Sequence, residues 1–198
     1  MSVRAESSRS MSIADYFALE ANSEHKHEYV GGEVYLLAGA TEPHNLIVTN
    51  VLVETALAAR GTHCRVLGSD MRLGVSRDVY YYADLMVACD PSDNDPLVKT
   101  RPCLLVEVSS ESTEAIDRRE KLLAYRGVAS LQMYLIISQT ARFVIAHQRL
   151  PDGSWWREEH HGDGTLELPC PSSSTLTLEA MYAGVIARTR PAPDQQQS

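Results

Sequence analysis

The chain has 198 residues, 44% of them hydrophobic and 22% charged, and a formal net charge of −8. That length suits one domain with a substantial core, and no apolar run approaches the roughly 20 residues that a bilayer crossing needs. The charge argues against binding nucleic acid through a broad basic surface, but not against an enzyme with a local carboxylate site. The opening MSVRAESSRS lacks the apolar stretch of a secretory signal, which makes the cytoplasm the expected location.

Residues 1–10 are expected to be disordered, 11–187 to form a single domain, and the polar, Gln-rich 188–198 to be a disordered tail. Ser12 can cap a first helix, SIADYFALEA, with Asp15 at the capping-box position. HEYVGGEVYLL reads as a hairpin turning at Gly31-Gly32. Apolar residues at 47, 48, 51, 52 and 56 predict an amphipathic helix over 44–60. Strands are predicted at CRVLGS, MRLGV and VYYYADLMVACD, followed by turn chemistry in PSDNDPLVKTR and a strand over 103–109. A helix over 112–126, capped by Ser112 or Thr113, separates that strand from LQMYLIIS, so the unit is a crossover. RFVIAHQRL, a turn in PDGSWW and a closing helix TLEAMYAGVI complete an α/β sheet of mixed direction flanked by helices.

Two acids stand out because they interrupt apolar strands. Glu107 lies in LLVEVSSEST and Asp84 in YYYADLMVACD. An unpaired carboxylate in such a place is costly, so it neutralises, pairs with a cation or binds a metal. On adjacent strands the two would converge, and a hard divalent ion takes one or two carboxylates with waters and phosphate oxygens. Asp117, Lys121 and Tyr125 form one stripe at i, i+4 and i+8. Spacing alone favours an exposed Asp117–Lys121 pair over a lysine facing the acids.

The remaining motifs are quieter. Cys64, Cys89, Cys103 and Cys170 are scattered, with no CxxC and no histidine at ligand spacing, so buried reduced thiols are expected rather than zinc. His44 can cap, pack or donate toward phosphate at a helix start. His160 and His161 sit in a charged, surface-like stretch. Phosphate-loop, zincin and deaminase patterns are absent.

Taken together, HEYVGGEV, His44 opening a long helix, YADLMV, LLVEVSSEST and DRREKLLAYRGVASLQMYLII resemble the Uma-two family of restriction endonucleases, from about Met11 to Ile186. The resemblance implies a restriction-endonuclease-like (PD-(D/E)XK) fold, a mixed β-sheet flanked by helices, and a metal-dependent endonuclease acting on nucleic acid, with DNA expected. Asp84 matches the motif aspartate, Glu107 the metal-binding glutamate, Glu28 the N-terminal acid and Lys121 a lysine moved to the following helix. His44, Asp117 and Tyr125 match accessory positions. Mg²⁺, with Mn²⁺ able to substitute, would be held by Asp84, Glu107 and the backbone carbonyl of Val108. Such nucleases often pair as homodimers, for which Trp155, Trp156 and Tyr80 to Tyr82 are candidate contacts. Two departures are evident: Ala83 replaces the proline before the aspartate, and Ser109 stands where the usual lysine would be. The alternatives are a nuclease-like module without catalysis, serving dimerisation or binding, and a purely structural salt-bridge network.

Overall fold

Glycine conformation sets the first hairpin. Gly31 and Gly32 take φ of 56° and 97°, as a two-residue turn requires, and join β2 (His27–Val30) to β3 (Glu33–Leu36). A Cβ on Gly32 would collide with Ser10 Oγ, so sterics and φ both restrict this position. Just upstream, Ser12 caps α1 (Ile13–Asn22) by accepting the Asp15 amide hydrogen at 3.1 Å, and its hydroxyl donates to Asp15 Oδ2 at 2.6 Å. The computed structural model describes residues 3–4, 10–109, 117–171 and 174–185, the side chains of 3–4 and 117–119 excepted. The expected disordered tail at 188–198 and a Ser112 or Thr113 cap lie outside those residues.

The hairpin belongs to a sheet that also contains β1 (Val3–Arg4), β5 (Arg72–Ser76), β6 (Val79–Tyr81) and β8 (Val98–Lys99). Its order is β1-β3-β2-β6-β5-β8. Val3 and Arg4 pair with Leu36 and Tyr35. The second sheet contains β4 (Arg65–Gly68), β7 (Leu85–Ala88), β9 (Leu104–Ser109), β10 (Met133–Ser138), β11 (Phe143–Arg149) and β12 (Trp155–His161). Its order is β12-β11-β10-β9-β7-β4. β9 and β10 run parallel, and α3 (Asp117–Arg126) lies between them in the chain, as a crossover requires.

Side-chain alternation along the second sheet divides its two faces. Leu104, Val106 and Val108 join Leu135 and Ile137 against Ile47 and Val51 of α2 (Glu42–Ala59). Leu105, Tyr134 and Ile136 pack instead with Tyr125 of α3 and with Leu73 and Tyr81 of the first sheet. Thr41 caps α2, its side chain accepting from the His44 amide, and a proline lies in the first turn. The helix therefore starts two residues before the expected position.

Several expectations needed revision. VYYYADLMVACD is not one strand: β6 ends at Tyr81 in one sheet and β7 begins at Leu85 in the other. The segment read as turn and surface after Leu150 includes β12, then a small sheet of β13 (Thr165–Leu168) and β14 (Ser174–Thr177). The closing helix is the single turn α4 (Leu178–Met181). Tyr81 and Tyr82 are buried, so they are not a contact surface, whereas Trp156 is 57% exposed. Among the described residues no helix is long and apolar enough to cross a membrane.

The cysteines differ most from their reading as reduced thiols. Cys64 pairs with Cys89 and Cys103 with Cys170, leaving no free cysteine. The pairing was invisible in sequence because β4, β7 and β9 lie side by side only in the folded sheet.

Candidate active site

The break between β6 and β7 delivers the first acid. Asp84 occupies the step from one sheet to the other, immediately before β7. β9 runs antiparallel to β7 with Leu85 opposite Val106, so Glu107 arrives beside Asp84. The Val108 amide then donates to Asp84 Oδ2 at 2.7 Å. Within an extended strand a residue's N–H and C=O point to the same side, so the Val108 carbonyl is also directed toward Asp84. Glu107 lies two residues after Leu105 and therefore shares its face of the sheet.

Helices close the site from both faces. From α3, Lys121 reaches Glu28 Oε1 at 2.8 Å and Glu107 Oε1 at 3.4 Å, and Tyr125 donates to Glu107 Oε1 at 2.9 Å. The Lys121 ammonium also lies 5.3 Å from the centre of the Tyr81 ring. This decides against the exposed Asp117–Lys121 pair: Lys121 turns inward, its side chain 18% exposed. From the first turn of α2, His44 Nε2 sits 3.2 Å from Asp84 Oδ2, and its Nδ1 is buried with no hydrogen-bond partner among the described residues. The side chain of Asp117 lies outside the described residues.

Electrostatics follow from this packing. Burial, with the charges of Asp84 and Glu28, pushes Glu107 up to about 7 against the pull of Lys121 and Tyr125. Burial disfavours charge on Lys121, but Glu107 and Glu28 outweigh it and hold the ammonium well above the ordinary lysine value. Burial and then Glu107 keep the Tyr125 phenol protonated well past its usual range. Burial opposes protonation of His44, yet the hydrogen bond and charge of Asp84 raise it above an ordinary histidine.

Glu28, Asp84, Glu107 and Lys121 thus meet, with His44, on a cleft of about 820 Å³ that also reaches Thr41, Tyr82 and Gln139, while Tyr125 is buried behind Glu107. Three carboxylates around one lysine leave an excess of negative charge, which a divalent cation would relieve. The contacts from described residues fall on Oδ2 of Asp84 and Oε1 of Glu107. Among these residues Asp84 Oδ1, Glu107 Oε2 and the Val108 carbonyl are the remaining oxygen donors, a set that suits a hard ion.

Sequence reasoning missed the parts that hold Glu28. The Tyr82 amide donates to Glu28 Oε1 at 3.3 Å. Glu20 of α1, its side chain 3% exposed, bonds the Tyr82 hydroxyl, the His27 amide and Arg72. A lone glutamate on a short helix carries no local signal. The one available hint was the tyrosine run beside Asp84.

Comparison with known proteins places this geometry in context. Residues 13–179 match the Uma2 family, described as "Putative restriction endonuclease". The chain is 31% identical over 177 residues to the uncharacterized protein slr1290 of Synechocystis sp., covering 88% of this chain and 93% of that protein. It is likewise 31% identical over 157 residues to the uncharacterized protein sll1609 of the same organism, covering 77% and 89%. A crystal structure from Anabaena variabilis, titled a "putative nuclease belonging to DUF820", superposes with a TM-score of 0.68 at 14% identity, over 87% of this chain and 98% of that one. At that identity the likeness establishes the fold alone: a mixed α/β architecture of mixed sheets flanked by helices.

Proposed function

The chain belongs to the Uma2 family, and from that premise we propose that it is a metal-dependent endonuclease hydrolysing phosphodiester bonds of nucleic acid, with DNA as substrate. The observation that carries this reading is Lys121. Ser109, where a motif lysine would stand, cannot supply a cation, and Lys121 reaches Glu107 from α3 instead.

Mg²⁺, or Mn²⁺ in its place, would be held by Asp84, Glu107 and the Val108 carbonyl, and would supply Lewis-acid stabilisation of phosphoryl charge and a lowered water pKa. The protein's own groups do the rest. Glu28 fixes Lys121 at 2.8 Å, so the ammonium is already placed to orient an attacking water and offset charge on the phosphate. Tyr125 restrains Glu107 through Oε1. His44 restrains Asp84 and would donate toward a phosphate oxygen at the start of α2, where the helix end favours anions. Cutting two strands calls for two sites, which supports a homodimer. Light scattering of the purified protein would return twice the chain mass, and the monomer mass would remove that part of the reading.

Calorimetric titration with Mn²⁺ tests the metal. Wild type should bind, and Asp84→Asn and Glu107→Gln should each lose binding. Retained binding in both variants would refute the assignment. A second reading has one observation in its favour: Lys121 already neutralises Glu28 and Glu107, as a structural network or a non-catalytic module would require. Under that reading Glu107→Gln lowers stability equally with and without metal. Under ours it loses metal-linked stability and leaves the metal-free fold as stable or more so.

A further inference from the structure

The four cysteines converge on one place although they are distant in sequence. Cys64 precedes β4, Cys89 follows β7 and Cys103 precedes β9. Arg65 lies opposite Ala88 and the Cys103 amide donates to the Val87 carbonyl at 2.8 Å, so the three residues line one end of the sheet. Cys170 joins them from the loop between β13 and β14. The two disulfides touch: Cys89 Sγ and Cys103 Sγ are 3.5 Å apart. The sulfurs of Cys89, Cys103 and Cys170 all lie within 4.8 Å of one another, and Cys64 is bonded to Cys89.

We propose that in the reduced protein these four cysteines form a tetrathiolate site for a soft divalent cation of the Zn²⁺ class, and that the two disulfides are its oxidised, metal-free form. Zinc bound by four thiolates at about 2.3 Å places its sulfurs roughly 3.8 Å from one another, close to the spacing the inner pair already shows. Cys103 and Cys170 are buried among Leu104, Leu168 and Leu176, while Cys64 and Cys89 are only partly covered, giving a closed site with a rim through which an ion can enter. In a reducing cytoplasm thiols are the stable form, and four unpaired thiols so close together would select a thiophilic metal. The conversion balances. Each disulfide takes two electrons and two protons from two equivalents of an external small-molecule thiol, which leave as its disulfide, and binding of the cation then releases four protons from the four thiols. The site is distinct from the acidic one. Asp84 and Cys89 stand at opposite ends of β7, as do Glu107 and Cys103 on β9, about 13–17 Å apart along the strands.

The test uses the full chain, reduced with a phosphine under anaerobic conditions, thiols counted with an aromatic disulfide reagent and fold followed by circular dichroism. Cobalt(II) is the probe, because tetrahedral thiolate cobalt absorbs visible light intensely and octahedral carboxylate cobalt weakly. The expected result is one intensely absorbing Co²⁺ per chain, displaced by Zn²⁺, preserved in Glu107→Gln and lost in Cys103→Ser. Should Cys103→Ser fail to fold, Cys64→Ser on the rim serves instead and should weaken binding at least about tenfold. Four free thiols without that spectrum, a spectrum unchanged in Cys64→Ser, disulfides that resist reduction in the folded protein, or a reduced chain that unfolds and is not restored by Zn²⁺ would each overturn the proposal.

Discussion

Glu107 makes the strongest residue-level claims. Its pKa of about 7 against an ordinary 4.5 means that the folded, metal-free protein keeps a proton which the unfolded chain releases. Stability from this group is therefore present below pH 4.5 and falls as pH rises to about 7. Lys121, raised above the lysine range, adds a contribution that is constant across that window and is lost only at alkaline pH. Urea unfolding of metal-free protein should show this decline between pH 4.5 and 7, and Glu107→Gln should flatten it; an equal slope in both would contradict the assignment. Because the ion and the proton compete for the same carboxylate, Mn²⁺ affinity should increase as pH rises through 7. Tyr125→Phe removes the hydrogen bond to buried Glu107 and should cost about 1–3 kcal/mol by chemical denaturation, while moving Glu107 further upward. The acids were legible because a carboxylate inside an apolar strand is conspicuous. Lys121 was not: its stripe with Asp117 and Tyr125 fits an exposed ion pair equally well, and only the docking of α3 chooses between the two.

At the scale of elements, the site depends on the β2–β3 hairpin and on the step between sheets. β2 carries Glu28, the anchor of Lys121, and its turn needs Gly32 at φ 97° against Ser10. Gly32→Ala should lower stability by about 1–3 kcal/mol and reduce activity further by loosening Glu28, whereas Glu33→Ala on the exposed part of the same hairpin should change activity little. The hairpin, α1 and α2 were readable because glycine pairs, caps and 3.6-residue periodicity are local signals. The division of VYYYADLMVACD was not, since Tyr81 and Leu85 are equally buried and the pattern does not say that they belong to different sheets. β12, with Arg157, Glu158 and Glu159 exposed, lacks the alternation that marks a half-buried strand, and so it read as surface.

For the whole molecule, a net charge of −8 and a nuclease reading are compatible only if phosphate is met chiefly inside the cleft, by Lys121, His44 and the bound ion. Replacing Lys121 should then be severe. Lys121→Met is expected to lower turnover about 10²–10³-fold, and Ser109→Lys in that background should restore part of it, because it returns a cation to the strand position the site lacks. The central claim is that Glu107 belongs to a metal site that cuts nucleic acid. The direct measurement is nicking of supercoiled plasmid DNA by wild type and Glu107→Gln at equal Mg²⁺ or Mn²⁺. Metal-dependent nicking by wild type that disappears in the variant is the predicted result. Nicking that survives in Glu107→Gln, or a folded wild-type protein that neither nicks nor binds the ion, would contradict it.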